Sequence, residues 1–402
     1  MIPFSPPYID DDIINEVVDT LKSGWITTGP KTKLFEKEIT DYCGCKSTVC
    51  VNSATIGLEL VLKWFGVTAG DEVIIPAYTY CATANAVVHC GAKPVMVDIN
   101  KEDFNINAEK IADAITSRTK VIIPVDIGGL PCDYDEIYNV VNQKKILFKG
   151  STEIQKQLGR ILILSDAAHS FGAKYKGIIS GALSDVTVFS FHAVKNLTTS
   201  EGGAITFNLP ETFDNKAICD FFTILILHGQ NKDALSRKKT SGWKYDVLFN
   251  GYKANMTDVH ASIGLVQLKK YKYIIERRQF IFKQYSDALS LFPRFEIPIY
   301  KNYFIESSYH LYLLRILNIT ENMRDSIIES IFNKGVSVNV HFQPLPMLTV
   351  FKNNGYSIND FPVSYEAYSR EISLPVHMNL SDSDVSKVID VVFKSVHEII
   401  NG

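Results

Sequence analysis

Many of the patterns that would disclose a function at once are missing. The seven cysteines (43, 45, 50, 81, 90, 132, 219) are an odd number with no Cys-x-x-Cys pair and no repeated spacing. They indicate neither a disulfide framework nor a zinc site, and Cys43-x-Cys45 reads as loop sequence. Charge of one sign is also lacking: 41 Lys and Arg against 44 Asp and Glu leave a net of −3. Such a chain has no global field for nucleic acid or anionic lipid, so any anionic ligand needs a local site. No apolar run approaches the ~18 to 20 residues that span a bilayer; Val121 to Val125 and Ile224 to Leu227 have the length of a strand or a helical turn. Met-Ile-Pro-Phe-Ser-Pro-Pro at the start lacks the basic residues and apolar run of a secretion signal, so a cytoplasmic protein is expected. There is no Gly-x-Gly-x-x-Gly after an early strand, no phosphate-loop motif and no His-Glu-x-x-His, which weakens dehydrogenase, NTPase and zincin readings. Repeats and low-complexity tracts are absent as well.

What remains is globular composition, with 46% hydrophobic and 21% charged residues in 402, enough for two or three domains at ~150 residues each. From about Thr32 to Ile205, helical patterns alternate with short apolar runs: Val73-Ile-Ile-Pro, Pro94-Val-Met-Val, Val121-Ile-Ile-Pro-Val, Ile161-Leu-Ile-Leu-Ser-Asp, Val186-Thr-Val-Phe-Ser and Ala204-Ile-Thr-Phe. Continuous apolar strands between helices mark a mostly parallel sheet covered on both faces. An α/β domain of about seven strands is therefore expected over residues 1–250. Residues 251–402 read as a smaller α+β domain: a long helix Thr257 to Asp287, an extended stretch Phe292 to Tyr300, a strand from Tyr309, a helix Arg324 to Asn333, a strand-like Val336 to Phe342 and a final helix Asp382 to Asn401. The N-terminal segment is expected to pack on this smaller domain. Lys144 to Arg160 is polar and longer than a helix-to-strand connection needs, and reads as a solvated insertion.

Chemistry-bearing residues cluster at strand ends, where ligands bind in open α/β sheets. Ser165-Asp166-Ala-Ala-His169 ends one strand; Ser190-Phe-His-Ala-Val-Lys195-Asn follows another. A lysine desolvated beside a buried strand has a lowered pKa and a nucleophilic lone pair. An aspartate at a strand end can partner a pyridinium nitrogen, with an attraction of about 4 kcal/mol at ~4 Å and an effective dielectric near ~20. Asn52-Ser-Ala54-Thr55 opens a helix whose free N–H groups suit a phosphate, and Ser190 can add a hydroxyl. Tyr80, just past a strand, can stack on an aromatic ligand. Each feature alone has a plainer reading as a cap, a surface charge or core.

Together, the motifs resemble the DegT/DnrJ/EryC1/StrS family of pyridoxal phosphate (PLP)-dependent sugar aminotransferases. The specific segments are Gly24-Trp-Ile-Thr-Thr-Gly-Pro, Gly70-Asp-Glu-Val-Ile-Ile-Pro, Gly91-Ala-Lys-Pro-Val-Met-Val-Asp, Asp166-Ala-Ala-His, Ser190-Phe-His-Ala-Val-Lys-Asn through Glu201-Gly-Gly, Gly251-Tyr-Lys-Ala-Asn-Met-Thr-Asp and Ser373-Leu-Pro-Val. The resemblance implies the fold type I architecture of aspartate aminotransferase, with PLP as cofactor and no metal. It makes Lys195 the Schiff-base and proton-shuttling residue, Asp166 the pyridinium partner, His169 a neighbour of the ring and Tyr80 its stacking partner. Ala54, Thr55 and Ser190 would hold the phosphate, with Asn255 reaching in from a second subunit of a homodimer. Dehydratase-type members carry histidine at the lysine position, so Lys195 argues for transamination.

The implied reaction moves an amino group from an amino acid, foremost L-glutamate, to a nucleotide-linked 4-keto-6-deoxy sugar, with UDP-linked HexNAc ahead of dTDP sugars, for surface glycan synthesis. A 3-keto sugar and a non-catalytic regulatory role stay open as alternatives. His310 and His341 match positions near substrate in relatives, although both could be satisfied polar groups in strands. Lys31, Lys253, Arg237 and Arg277 are candidates for the nucleotide phosphates. Asp126 stands where many relatives carry histidine.

Overall fold

The computed structural model describes residues 1–231 and 244–401. Its central sheet has seven strands: Ser47–Val51 (β1), Glu72–Pro76 (β2), Lys93–Val97 (β3), Thr119–Ile122 (β4), Leu162–Asp166 (β5), Val186–Ser190 (β8) and Gly203–Phe207 (β9). Their order is β1-β9-β8-β5-β4-β2-β3. The β3-β2-β4-β5-β8 pairs are parallel, and β9 runs antiparallel to both neighbours. Two short strands, Lys174–Tyr175 (β6) and Ile178–Ile179 (β7), lie outside this sheet. Every residue of β2 and β5 is buried, as continuous apolar runs between two helical layers require.

The helices preceding the sheet and crossing it are Asp11–Lys22 (α1), Pro30–Cys43 (α2), Ala54–Trp64 (α3), Cys81–His89 (α4), Ala108–Ala114 (α5), Tyr134–Gln143 (α6), Glu153–Leu158 (α7) and Asn215–Leu225 (α8). The central helix α3 lies close against the strands because Gly57 has no side chain: a Cβ there would stand 2.9 Å from Val188 Cγ1.

The expected long helix 257–287 is two helices, Asp258–Lys269 (α9) and Tyr271–Leu289 (α10), separated at Lys270. Lys270 closes α9 with its backbone N–H, and its amine is drawn to Asp10 and Asp12. The smaller sheet joins Phe295–Glu296 (β10), Tyr312–Ile316 (β12) and Glu371–Leu374 (β13) in the order β10-β12-β13. Ile305–Glu306 (β11) instead pairs with β6. Glu321–Asn333 (α11), Thr349–Asn353 (α12), Pro362–Arg370 (α13) and Asp382–Asn401 (α14) complete the chain. Ile281, Phe282, Leu314, Ile327 and Val392 share one core here, together with Ile2. The expected strand at 336–342 is reduced to isolated bridges, Ile2 with Val336 and Asn339 with Ser373. The stretch expected to be extended from 292 to 300 forms only the two residues of β10.

Residues 2–8 do reach the smaller layer: Ile2 N–H donates to Gly335 O at 2.8 Å, and Ser337 N–H donates to Ile2 O at 2.9 Å. The expected boundary at residue 250 falls ahead of α9, whose Ala261 and Leu265 pack with Phe35, Phe171 and Phe189 on the larger layer. The 144–160 segment is largely exposed, as its composition indicates, and only Gln155 and Leu158 in it are buried. It contains α7, from which Gln155 donates from Nε2 to Phe65 O at 2.9 Å. Among the described residues, no helix is long and apolar enough to cross a membrane.

One buried carboxylate fixes the start of α2. Asp258 accepts from the backbone N–H of Gly29 (2.8 Å), Lys31 (3.0 Å) and Thr32 (2.9 Å), and from Thr32 Oγ1 (2.7 Å). Replacing it leaves four donors without their acceptor, those of Gly29 and Thr32 in buried positions. Asp258→Ala is expected to cost about 2 kcal/mol or more, seen as a lower melting temperature, while Asp258→Asn retains part of the loss.

Candidate active site

The site stands at the carboxyl ends of β5 and β8. Asp166 terminates β5 and is only 5% exposed. Thr83 Oγ1 donates to its Oδ2 at 2.7 Å, and the Ala168 N–H donates to Oδ1 at 3.3 Å. Thr83 reaches Asp166 from α4, and Thr79 supports it at 3.0 Å. Burial pushes the Asp166 carboxyl up, against those two hydrogen bonds and the attraction of Lys195. Lys195 follows β8 in a turn closed by its N–H on His192 O at 2.9 Å. The residue is partly exposed, yet its amine is desolvated among the lining groups and lowered to about 8, with Asp166 opposing the shift.

An anion cradle faces this pair. Helix α3 begins at Ala54, capped by Ser53 Oγ, which accepts from the Ile56 N–H at 3.3 Å. The first N–H groups of a helix have no partner within it and carry the positive end of its dipole. Ala54, Thr55 and Ser190 all line the cavity. Gly203 of β9 keeps the cradle open: a Cβ there would sit 2.8 Å from Ala54 N and 2.7 Å from Phe189 O.

Three histidines build the wall of a cavity of about 410 Å³. His169 Nδ1 accepts from the Gly128 N–H at 3.3 Å, which leaves the proton of the neutral ring on Nε2. His310 Nδ1 bonds Asn196 Oδ1 at 2.9 Å, and because Asn196 spends its amide on Ser308 O, the histidine is the donor. His341 Nδ1 meets Ser373 Oγ at 2.8 Å. Burial and the nearby Lys195 push all three imidazoles down, His341 to about 3, so all are neutral. Phe342 stacks on His169 at 5.7 Å and Phe4 on His341 at 5.5 Å. Tyr80 lines the mouth at 60% exposure, tilted against Phe342 at 5.8 Å.

The structure thus brings together Ala54, Thr55, Tyr80, Asp166, His169, Ser190, Lys195, His310 and His341 around one cavity. Asn255, Lys31, Lys253 and Arg277 are not among its lining residues in a single chain. Asn255 donates to Thr28 Oγ1 at 2.6 Å and accepts from Lys253 Nζ at 2.6 Å. Lys31 pairs with Glu16 at 2.7 Å and Arg277 with Asp382 at 2.7 Å. Arg237 lies outside the described residues. Asp126 turns inward, accepting from Ser170, Tyr134 and the Cys132 N–H, so the departure at this position does not reach the cavity.

Thr83, Phe4 and Phe342 escaped the sequence reading. The Thr79 to Thr83 spacing, one helical turn beside a strand end, could have disclosed the first. Phe4 and Phe342 carry no local signal, since they become wall residues only through long-range packing.

The sequence model of the DegT/DnrJ/EryC1/StrS aminotransferase family matches residues 7–393. The chain is 37% identical to the spore coat polysaccharide biosynthesis protein SpsC of Bacillus subtilis, over 100% of this chain and 97% of that one. Among solved structures, Spr1654 of Streptococcus pneumoniae in its PMP form superposes with a TM-score of 0.95 at 44% identity, covering 100% of this chain and 98% of that one. Its PLP form gives the same TM-score and identity, covering 99% of both chains. PseC of Helicobacter pylori, an aminotransferase involved in the biosynthesis of pseudoaminic acid, follows at a TM-score of 0.86 and 26% identity over 99% of both chains.

In protein prepared without cofactor, the Lys195 amine is expected to titrate at about 8. The carboxylate of Asp166 raises that value. Asp166→Asn removes the attraction and moves the midpoint lower still, measured as the pH dependence of Lys195 acylation by a small reagent.

Proposed function

The chain belongs to the DegT/DnrJ/EryC1/StrS aminotransferase family, whose members work with PLP, and from that premise we propose its substrates and the roles of its residues. The reaction moves an amino group from an amino acid, L-glutamate foremost, to the keto carbon of a nucleotide-linked 4-keto-6-deoxy sugar of the UDP-HexNAc type. The observation that carries the reading is the pairing of a buried carboxylate with a desolvated lysine amine beside a cradle that a single Cβ at Gly203 would fill. Similarity to PseC and SpsC supports a sugar acceptor for a glycan.

These residues fit the cofactor. Ala54, Thr55 and Ser190 would take its phosphate, Asp166 its ring nitrogen, and Lys195 its aldehyde carbon, with His169 and Tyr80 beside the ring. When bound, PLP supplies an electrophilic carbon and a ring that draws electrons from the substrate's α-carbon. Asp166, buried and held by Thr83 and the Ala168 N–H, presents negative charge at a fixed position, which favours a protonated ring nitrogen. Lys195 Nζ, lowered to about 8, is well placed near neutral pH to take a proton from the donor α-carbon and pass it to the carbon that was the cofactor's aldehyde. In the sugar half Nζ would move a proton the other way, from that carbon to the sugar carbon that receives the amine. Asp166 and Glu201 are the acidic side chains on the lining.

The unit is a homodimer in which Asn255 of the partner subunit completes the phosphate site. Ile14, Val18, Leu21, Ile26 and Leu34 expose apolar surface on α1, α2 and the loop between them. Asn255 bonds Thr28 of that same loop, so the residue and the apolar face share one side of the molecule. The enzyme works in the cytoplasm, where its seven unpaired thiols stay reduced.

Borohydride reduction followed by peptide mapping should fix the cofactor on Lys195, and labelling elsewhere would reject the assignment. Lys195→Ala should fold normally by circular dichroism yet lose turnover by about 100-fold or more. A panel of UDP- and dTDP-linked keto sugars with glutamate should give amination at C4 of a UDP sugar. An amine located at C3 by NMR would replace that regiochemistry.

A further inference from the structure

Strand β13 grips His341 twice. Glu371 and Ser373, two residues apart, share one face of the strand, and neither is exposed. Ser373 Oγ bonds Glu371 Oε1 at 2.5 Å and His341 Nδ1 at 2.8 Å, while Glu371 Oε2 accepts from the His341 backbone N–H at 3.0 Å. Phe4 stacks on the imidazole. With Nδ1 engaged by Ser373, Nε2 is the nitrogen left to the cavity that His341 lines.

The single hydroxyl proton of Ser373 couples the two ends of this chain. If Glu371 is a carboxylate, Ser373 donates to it and Nδ1–H donates to Ser373, so Nε2 carries a lone pair. If Glu371 is a carboxylic acid, it donates to Ser373, Ser373 donates to Nδ1, and Nε2 carries the proton. Passing from the second state to the first releases one proton from Nε2, while the carboxyl proton shifts to Ser373 and the Ser373 proton to Nδ1. No other bond changes.

We propose that Glu371 and Ser373 are positioning residues that decide which ring nitrogen of His341 carries the proton, and so present an Nε2–H donor to an oxygen of the bound substrate. The identity of that oxygen, on the keto sugar or the amino donor, rests on the aminotransferase reading; the proton's location does not. Burial raises the Glu371 carboxyl to about 8, so the donor state holds at neutral pH. Facing Glu371 are Arg315 of β12, already paired with Glu296, and Arg324 of α11, paired with Asp325; both pull its pKa down but do not overcome burial. Arg370, the preceding residue, is paired with Glu366. Tyr78 donates its hydroxyl to His341 O at 2.7 Å, and burial together with Glu371 keeps that phenol protonated. On the cavity side stand Lys195, His169 and His310, the last two neutral.

Nitrogen-15 NMR of histidine-labelled intact protein, with His341→Gln for assignment, tests this. Between about pH 6 and about pH 10, the wild-type His341 proton should move from Nε2 to Nδ1 with a midpoint of about 8, the ring staying neutral. Glu371→Gln cannot ionise and donates its amide N–H to Ser373, so it should hold the Nε2–H form throughout. In the wild type KM for substrate should rise above the midpoint, and in Glu371→Gln that rise should be absent, with kcat at low pH retained. Should Glu371→Gln not fold, Ser373→Ala must equally abolish the pH-driven move. A wild-type ring that never changes tautomer, or a change that persists in either variant, overturns the proposal. Absence of borohydride labelling at Lys195 would instead reject the cofactor assignment and leave the tautomer result standing.

Discussion

Everything around the cavity follows from placing a buried carboxylate and a desolvated amine on the lining of one cavity, where each feels the other's charge. Each is costly to bury alone, and the shifts of Asp166 upward and Lys195 downward show that burial outweighs their mutual attraction. On the proposed assignment, a cationic ring nitrogen would restore the charge on Asp166. Holding the two groups requires two strands ending at the same level, β5 and β8, which are parallel neighbours, with Val188 opposite Asp166 in register. It also requires Thr83 to reach across from α4, and α3 to approach closely enough that Gly57 and Gly203 cannot carry side chains.

The polar wall facing these two groups is made largely of neutral imidazoles. Three buried imidazoles, each with Nδ1 committed to a separate partner (the Gly128 N–H, Asn196 and Ser373), give directional hydrogen bonding at low dielectric. Such a wall discriminates by donor and acceptor placement rather than by a fixed charge at one spot.

How much of this could be read in advance depends on the range of the interactions. The strands were legible because each is a local run: Leu162–Asp166 and Val186–Ser190 fall within the apolar stretches read from the sequence. Asp166, Lys195 and Ser190 were legible because strand ends concentrate chemistry. The break at Lys270 was not, since an amphipathic pattern continues through it and the amine that marks it is claimed by Asp10 and Asp12, far off in sequence. Lys144 to Arg160 is largely exposed, as its composition indicates, but that polarity conceals Gln155, whose amide is spent on a buried carbonyl. Phe4 and Phe342 acquire meaning only when distant segments meet, and Glu371 only when the loop carrying His341 docks on its strand.

Residues 2–8 illustrate that last class most fully. Ile2 lies in the smaller core, Phe4 on His341, Ser5 donates to Val194 O beside Lys195, and Tyr8 O accepts from Gln267. His377 reaches Pro3 O. On the ribosome these residues are made well before Gly335, His341 and His377, so they wait, unpaired, for most of the chain to be synthesised. The cavity wall is closed by one of the earliest segments joining some of the latest, and a nascent chain has no complete site until that late meeting has taken place.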